Sequence, residues 1–349
     1  MTTIDADAHV LETPDTWRYL RDDERGCTPM VVTRASGAQD RGLEGQAIEE
    51  YWVIDGSILP KEDNVGSDTT VDTREMRDIP GRLAHMDRLG VDIQVLYPTL
   101  FLRPITMKAG VEFALSRSYN RWLADIWRQA PDRLRWVMSP PLLAMDRLDE
   151  ELDFAQENGA VGIFLRGLEC DRTLNDPYFF PVYEAAQSRD LPVCIHSATN
   201  SPTMHRFFLD DSGFSKFKLA TIGAFHTLVY HAIPDRFPGV RWGFIEVSSQ
   251  WVPYVINDLS IRFRRKGKEL GEDVLRRHNI WVACQVTDDL PYVLGYAGED
   301  HLVIGTDYGH ADTATEIEAL RLLKQDGRVE PRVVDKILDD NARALYGLS

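Results

Sequence analysis

The sequence predicts an α/β protein whose parallel strands close into a (β/α)8 TIM barrel. Apolar, strand-like segments alternate with helical patterns, which favours βαβ units around a parallel sheet. Eight such strands occur, and the 349 residues are enough for a barrel, which needs about 250. A doubly wound open sheet is the alternative, but no GxGxxG or GxxxxGKS/T motif follows a strand, so a nucleotide-binding fold lacks its usual signature.

The predicted strands are short apolar runs, most of which end in a polar residue or a proline. They lie at residues 4–9, 93–98, 134–140, 161–165, 192–196, 240–246, 280–284 and 302–307. Helical patterns separate or follow these strands at residues 82–89, 111–129, 148–158, 181–189 and 317–324. The pattern over 111–129 is strongly amphipathic, as expected for a helix that packs one face on a sheet.

The alternation of strands and helices breaks between residues 27 and 75. Strand-like runs at 30–34 and 50–55 flank Gly37 and Gly42, which predicts a small β-hairpin inserted after the first strand. In a barrel this loop lies on the catalytic face, although a surface loop without a role in catalysis is the alternative. No repeat or low-complexity tract divides the chain, so we expect one domain over residues 1–349.

Composition excludes several classes of partner. A net charge of −16 argues against nucleic acid and anionic membranes, and an anionic substrate would need a metal ion or an arginine. No apolar run reaches the roughly 18–20 residues of a membrane span, and no secretory signal is visible. The cysteines show no CxxC pair or disulfide framework, so we expect a reduced, cytoplasmic enzyme. They are Cys27, Cys170, Cys194 and Cys284.

Polar side chains end four of the predicted strands. Asp7 and His9 are two residues apart in the first strand and therefore point to the same side. His196, Glu246 and Asp307 end the fifth, sixth and eighth strands, whose carboxyl ends meet at one rim of a barrel. Imidazoles and carboxylates gathered there suit a divalent metal ion. Taken singly, Asp7 and His9 also fit a solvated turn, His196 a hydrogen-bonded core histidine, and Asp307 a helix N-cap.

The chain also resembles a known family through its motifs. These marks are spread over nearly the whole length: Ile4-Asp5-Ala6-Asp7-Ala8-His9, Met86-Asp87 with Gly90-Val91-Asp92, Tyr97-Pro98-Thr99, Asn120 with Trp122, Pro131-Asp132-Arg133-Leu134, Ile195-His196, Arg236-Phe237-Pro238-Gly239, and the run from Gly305 through Asp307 to His310. In them the chain resembles the aminocarboxymuconate-semialdehyde decarboxylase branch of the amidohydrolase superfamily, often called amidohydrolase 2. The resemblance implies a distorted (β/α)8 barrel with one divalent metal ion. Its ligand positions map onto Asp7, His9, His196 and Asp307.

Two positions depart from the family pattern. Asp7 stands where the better-known decarboxylase has His, and an oxygen ligand shifts the expected ion from Zn²⁺ toward Mn²⁺. Related nonoxidative aromatic decarboxylases carry an acidic residue there. The family's catalytic His after the sixth strand is absent: alignment on the strand puts Glu246 near that position, whereas counting back from Pro253-Tyr254 gives Val247. His226, on the preceding helical segment, is an alternative imidazole or an ordinary helix residue.

Three functions are open at this stage. The preferred one is a metal-dependent nonoxidative decarboxylase of a cyclic or aromatic carboxylate, with Asp307 as ligand and proton carrier and with Glu246 and His226 as further acid/base candidates. The second is a metal-dependent hydrolase of an amide, lactone or C–C bond that activates water at the same metal. The third is a catalytically inactive ligand-binding barrel, against which the presence of all four family metal positions argues.

Substrate contacts are expected from position along the chain. Arg166 follows the fourth strand and could pair with a carboxylate, and Arg103 is either a second anion contact or a surface residue. Aromatic residues near strand ends would form a wall for the substrate, or else simply pack in the core; they are Trp17, Tyr97, Phe101 and Trp251. The expected partners are a small-molecule carboxylate and, by analogy with the family, further copies of the chain in a homodimer or larger homo-oligomer.

Overall fold

The computed structural model describes residues 2–35, 48–61 and 64–349, so Gly37 and Gly42 lie outside the described residues. The strands are β1 Ile4–His9, β2 Met30–Ala35, β3 Ile48–Ile54, β4 Ser57–Pro60, β5 Ile93–Tyr97, β6 Leu134–Met138, β7 Ala160–Arg166, β8 Leu168–Glu169, β9 Arg172–Thr173, β10 Val193–His196, β11 Trp242–Ile245, β12 Ile280–Cys284 and β13 Leu302–Ile304. Eight of them form one sheet in the order β1-β5-β6-β7-β10-β11-β12-β13.

This sheet is a parallel barrel, which confirms the predicted fold class. Each pair of neighbouring strands runs parallel, as in the pairing of Val193 with Ile163 on one side and with Trp242 on the other. Backbone bonds beyond the end of β13 close the ring: the Asp307 amide donates to the Asp7 carbonyl at 2.9 Å, and the His9 amide donates to the Tyr308 carbonyl at 3.0 Å. The strands are buried on both faces, as expected for a sheet covered by helices.

The α-helices connect the strands and cover the barrel. They are α1 Val71–Arg74, α2 Ile79–Leu89, α3 Ala109–Gln129, α4 Leu148–Glu157, α5 Phe180–Ser188, α6 Pro202–Phe207, α7 Leu219–Tyr230, α8 Ile233–Arg236, α9 Val252–Arg265, α10 Val274–Arg277, α11 Leu290–Ala297, α12 Ala319–Gln325, α13 Pro331–Asp335 and α14 Asn341–Tyr346. Shorter 3₁₀ turns span Pro14–Tyr19, Asp22–Cys27, Leu100–Leu102, Met145–Arg147 and Pro177–Phe179, and π-helical turns span Phe214–Lys218 and Lys336–Asp340. None of the described helices is both long and apolar enough to cross a membrane.

The insertion after β1 contains a three-stranded antiparallel sheet rather than a simple hairpin. β2 pairs with β3 from Met30 opposite Val53, and β3 pairs with β4 from Tyr51 opposite Pro60. Trp52 packs edge-on against Trp17, with ring centroids 5.9 Å apart. This contact joins the small sheet to the segment that follows β1. The insertion therefore packs against the chain next to the carboxyl end of β1, where Asp7 and His9 lie.

A buried polar network fixes β1 at the point where it carries its polar side chains. Asp5 accepts from the Gln94 side chain at 2.9 Å and from the Thr306 hydroxyl at 2.6 Å. Arg82 donates to Gln94 at 2.7 Å and to the His9 carbonyl at 3.2 Å. Because every buried charge here has a partner, the network ties β1 to β5 and to the segment after β13 with little freedom.

Candidate metal centre

Asp7 and His9 lie two residues apart at the carboxyl end of β1, and their side chains meet in the mouth of the barrel. The pairing of β1 with β5 shifts register between Asp5 and Ala8, so one alternation of faces does not run through the whole strand. Asp7 is 3% exposed and His9 is fully buried. The expected placement of a carboxylate and an imidazole at the end of one strand is thus what the structure shows.

Two of the other polar residues, Glu246 and Asp307, lie on sharp backbone turns beyond the strands. His196 is the last residue of β10, whereas Glu246 directly follows β11 and Asp307 lies three residues beyond β13. Glu246 has a φ of 60° and Asp307 a φ of 52°, both in the left-handed region that residues other than glycine seldom adopt. Such backbone persists where surrounding contacts enforce it, which is common at functional sites.

His9 Nε2 contacts side-chain atoms of Asp7, His196 and Asp307 at the spacing of ligands around an ion. His9 Nε2 lies 3.4 Å from Asp7 Oδ1 and 3.4 Å from Asp307 Oδ1. His196 Nε2 lies 3.2 Å from His9 Nε2 and 3.3 Å from Asp7 Oδ1. Ligand atoms about 2.1 Å from a metal at 90–109° to one another lie roughly 3.0–3.4 Å apart, so these spacings fit a metal ion.

Two further side chains border these four atoms. Glu246 Oε2 lies 3.1 Å from His196 Nδ1, and His310 Nδ1 lies 2.7 Å from Asp307 Oδ1. Within the described residues, two overlapping groups can hold an ion; one is Asp7, His9, His196 and Glu246, and the other is His9, Glu246, Asp307 and His310.

Four buried atoms of this cluster contact one another in two pairs without a well-oriented hydrogen bond: His196 Nδ1 with Glu246 Oε2, and His310 Nδ1 with Asp307 Oδ1. Buried polar atoms in this state can take a metal ion as a further neighbour. His9 is oriented for ligation, because its Nδ1 lies 2.9 Å from the Pro98 carbonyl and can donate to it. Its Nε2 is then left with a lone pair facing the cluster.

The protonation states also suit a metal site. Burial lowers the pKa of His9 to about 4, so its imidazole is neutral and can donate its lone pair. Burial would raise the pKa of Asp7, but the neighbouring charges and hydrogen bonds of His196 and His9 hold that pKa well below its usual range. Burial and the surrounding carboxylates raise the pKa of Glu246 well above its usual value, which favours its protonated form.

A cleft of about 890 Å³ opens from this cluster to solvent. Glu246 and His310 line its inner end, next to Ser197. The cleft is large enough for a small organic substrate. Arg103 also lines it, as expected for a possible anion contact.

The structure places the other predicted site residues away from the cleft, which corrects those expectations. His226 pairs with Asp258 at 3.0 Å on a helix face and is not brought to the cluster. Arg166 is buried and held by both carboxylate oxygens of Glu169 at 2.8 Å, so its guanidinium is already neutralised. Periodicity could not reveal these partners, because each one depends on local turns or on a separate helix.

The predicted aromatic wall is likewise a set of packing contacts. Trp17 packs on Trp52, as described above. Phe101 packs on Tyr119 with centroids 5.1 Å apart, and Trp251 packs on Phe225 at 5.0 Å. Tyr97 comes nearest to the centre: its ring is 5.1 Å from that of His196, and its hydroxyl lies 2.8 Å from that of Tyr346. It therefore supports the histidines from within the barrel and does not line the cleft.

His310 is the residue of the cluster that sequence reasoning did not select. Gly309 has a φ of 101°, and this turn brings His310 back onto His9, with ring centroids 3.9 Å apart. His310 Nε2 also lies 3.0 Å from Thr99 Oγ1. The available signal was a histidine three residues after Asp307, in a run already noted as a family mark.

Comparison with known proteins identifies the family of the chain. A family model described as amidohydrolase matches residues 4–348. The curated 2-amino-3-carboxymuconate-6-semialdehyde decarboxylase of Dictyostelium discoideum is 23% identical over 237 residues, which is 65% of this chain and 65% of that protein. The matched region is thus just under two thirds of the relative's length.

Solved structures share the fold at low sequence identity. An amidohydrolase from Mycobacterium avium subsp. paratuberculosis has a TM-score of 0.78 and 20% identity, covering 99% of both chains. A 5-carboxyvanillate decarboxylase from Novosphingobium aromaticivorans, complexed with manganese and 4-hydroxy-3-methoxy-5-nitrobenzoic acid, has a TM-score of 0.63 and 22% identity, covering 77% of this chain and 80% of that one.

Proposed function

Because the chain belongs to the amidohydrolase family and is an enzyme of it, we propose that it is a metal-dependent nonoxidative decarboxylase of a cyclic or aromatic carboxylate. The observation that carries the proposal is the buried cluster of carboxylates and imidazoles, with the Glu246 carboxyl at the inner end of a cleft. The relatives named as decarboxylases support it. Family membership argues against the inactive ligand-binding barrel.

The proposed ligands are Asp7, His9, His196 and Asp307. His9 has only Nε2 to offer, because Nδ1 faces the Pro98 carbonyl. The two overlapping groups share this nitrogen and therefore cannot both be filled, which supports one ion per chain. The mixed carboxylate and imidazole donors suit Zn²⁺ or Mn²⁺. Bound there, the ion would supply a Lewis acid for the substrate's carboxylate and an adjacent oxygen.

Glu246 is the proposed proton donor. Its carboxyl lies at the inner end of the cleft, and its Oε2 lies 3.1 Å from His196 Nδ1. A proton from Glu246 adds to the substrate carbon that bears the carboxylate. The bond between that carbon and the carboxylate then breaks, its electron pair restores the ring, and carbon dioxide leaves. Water returns a proton to Glu246. Asp307, adjacent to His310, is the second candidate proton carrier.

Hydrolysis of an amide, lactone or C–C bond is the second candidate function. The observation that favours it is the His310–Asp307 pair, whose imidazole lines the cleft and contacts Thr99. An imidazole oriented by a carboxylate is a common general base for water. Both reactions would use the same metal ligands, so the products must decide between them.

The deciding experiment compares products from a panel of substrates. The Mn²⁺- or Zn²⁺-loaded protein is incubated with ortho-hydroxylated aromatic acids, lactones and amides, and an Asp307→Asn variant serves as the control. We expect carbon dioxide from an aromatic acid and, in deuterated water, one deuterium at the carbon that lost the carboxylate. Release of acid from lactones or amides without carbon dioxide would overturn the decarboxylase proposal in favour of hydrolysis.

Two predictions about the molecule in the cell accompany this proposal. By family analogy, the protein is expected to form a homodimer or larger assembly, which light scattering of the purified chain would test. A cytoplasmic location stays a prediction from the cysteine pattern.

A further inference from the structure

The metal centre provides no positive charge for a second anionic group of a substrate. Asp7 and Asp307 together would neutralise one divalent ion, and the uncharged carboxyl of Glu246 adds no positive charge. The chain as a whole carries a net charge of −16. A substrate with two carboxylates would therefore meet repulsion in the cleft unless cations lie at its outer part.

Such cations lie on one wall of the cleft. The π-helical turn Phe214–Lys218 follows α6 and contributes Lys216 and Lys218 to the lining. Lys218 Nζ donates to the Thr313 hydroxyl at 2.8 Å, and its positive charge acts to lower the pKa of Glu246. Lys218 is thus near the inner end of the cleft. It uses one of its three N–H donors on an uncharged partner, so its positive charge is not neutralised there.

These lysines are not neutralised by neighbouring acids. Among the residues with described positions, neither Lys216 nor Lys218 forms an ion pair, although acidic residues outnumber basic ones by 55 to 39 in the chain. The nearest acids of the cleft have other partners. Asp211 accepts from the Ser215 amide at 2.9 Å, and Asp312 accepts from the Asn64 side chain at 2.8 Å.

The same turn also offers a planar apolar surface. Phe214 and Phe217 line the cleft beside the lysines, and Phe214 is 53% exposed. The Lys216 ammonium lies 5.4 Å from the centre of the Phe217 ring. Aromatic faces next to an ammonium accommodate a flat, conjugated anion better than a flexible one, because ring stacking and charge pairing act together.

We propose that Lys216 and Lys218, with Phe214 and Phe217, form a subsite for the distal carboxylate of a planar dicarboxylate whose other carboxylate lies at the metal cluster. The proposal rests on the proposed function for the position of that first carboxylate. It narrows the substrate class from carboxylates in general to planar dianions.

Binding of non-reacting probes tests the subsite without requiring turnover. Isothermal titration of the Mn²⁺-loaded protein compares benzoate with isophthalate and terephthalate at low ionic strength, because salt screens half-exposed lysines. The variants are Lys216→Met, Lys218→Met and the double variant, and exposed Lys268→Met is the matched control. We expect wild type and control to prefer one of the diacids. The double variant should lose about 10-fold or more of that affinity, the scale of a charge-assisted hydrogen bond, while benzoate changes less than about twofold.

Two results would overturn the subsite. One is a wild-type protein that binds neither diacid more tightly than benzoate. The other is a double variant that weakens benzoate as much as the diacid, since the lysines would then act on the shared carboxylate or on Glu246. A protein that keeps the diacid preference but releases no carbon dioxide from any acid would overturn the decarboxylase proposal alone.

Discussion

Gly305 should be essential for the geometry of the metal centre, because β13 and β1 approach each other closely at this residue. A Cβ added at Gly305 would lie 2.3 Å from Asp7 Cβ, 2.8 Å from Asp7 N and 2.9 Å from Asp7 Cα. Ordinary contacts begin near 3.4 Å, so the two segments must separate by about 1 Å. Overpacking of this kind costs about 1–3 kcal/mol, or a few degrees in Tm. It also displaces a proposed ligand, which should weaken metal binding about 10-fold or more.

The measurement is thermal unfolding together with metal affinity of Gly305→Ala. Gly243→Ala on β11 is the matched control, because its Cβ would meet only side-chain atoms of Leu345 and Ile245, the nearest at 3.3 Å. We expect the control to melt and bind metal nearly like wild type. If Gly305→Ala matched Gly243→Ala in both properties, the reasoning from the close contact with Asp7 would be refuted.

Three further predictions follow from individual carboxylates. Metal-stripped wild type should regain more activity with Mn²⁺, relative to Zn²⁺, than Asp7→His does, because a carboxylate oxygen is the harder ligand; equal recovery ratios would contradict this. Glu246→Gln should keep a near-normal Tm and lose turnover by about 100-fold or more; a lower Tm with near-normal turnover of the folded fraction would instead mark a structural carboxyl. Burial raises the pKa of Glu112 to about 7. Between pH 4.5 and 7 the folded state therefore keeps a proton on Glu112 that the unfolded chain releases, and the free energy of unfolding falls as pH rises through this range. Urea unfolding should therefore show that the free energy of unfolding of Glu112→Gln, relative to wild type, increases between pH 4.5 and pH 8 by up to about 3 kcal/mol. An equal difference between the two proteins at both pH values would contradict the raised pKa of Glu112.

The barrel was predictable because its signals are local. Apolar runs identified the positions of all eight barrel strands, and the two-residue spacing of Asp7 and His9 correctly predicted that their side chains meet. The strand ends were less accurate. The sixth and eighth strands of the barrel, β11 and β13, end at Ile245 and Ile304, so Glu246 and Asp307 lie on turns beyond them.

The other features of the site depend on backbone turns and on long-range partners, which leave no periodic pattern in the sequence. Glu246 has a φ of 60°, which ends the strand conformation, so the period of the strand does not predict where its side chain points. The approach of His310 to His9 depends on the turn at Gly309. Arg166 was expected to face substrate because it follows a strand. Its pairing with Glu169 across a tight turn leaves no periodic signal in the sequence.

The central claim is that one divalent ion is held by Asp7, His9, His196 and Asp307. Its most direct test is elemental analysis of desalted protein after loading with Mn²⁺ or Zn²⁺, comparing wild type with His196→Ala and with His226→Ala as a control outside the cluster. We predict about one ion per chain in wild type and control, and loss of most metal in a folded His196→Ala variant, with the fold checked by circular dichroism. Unchanged metal content in His196→Ala, or none in wild type, would contradict the account.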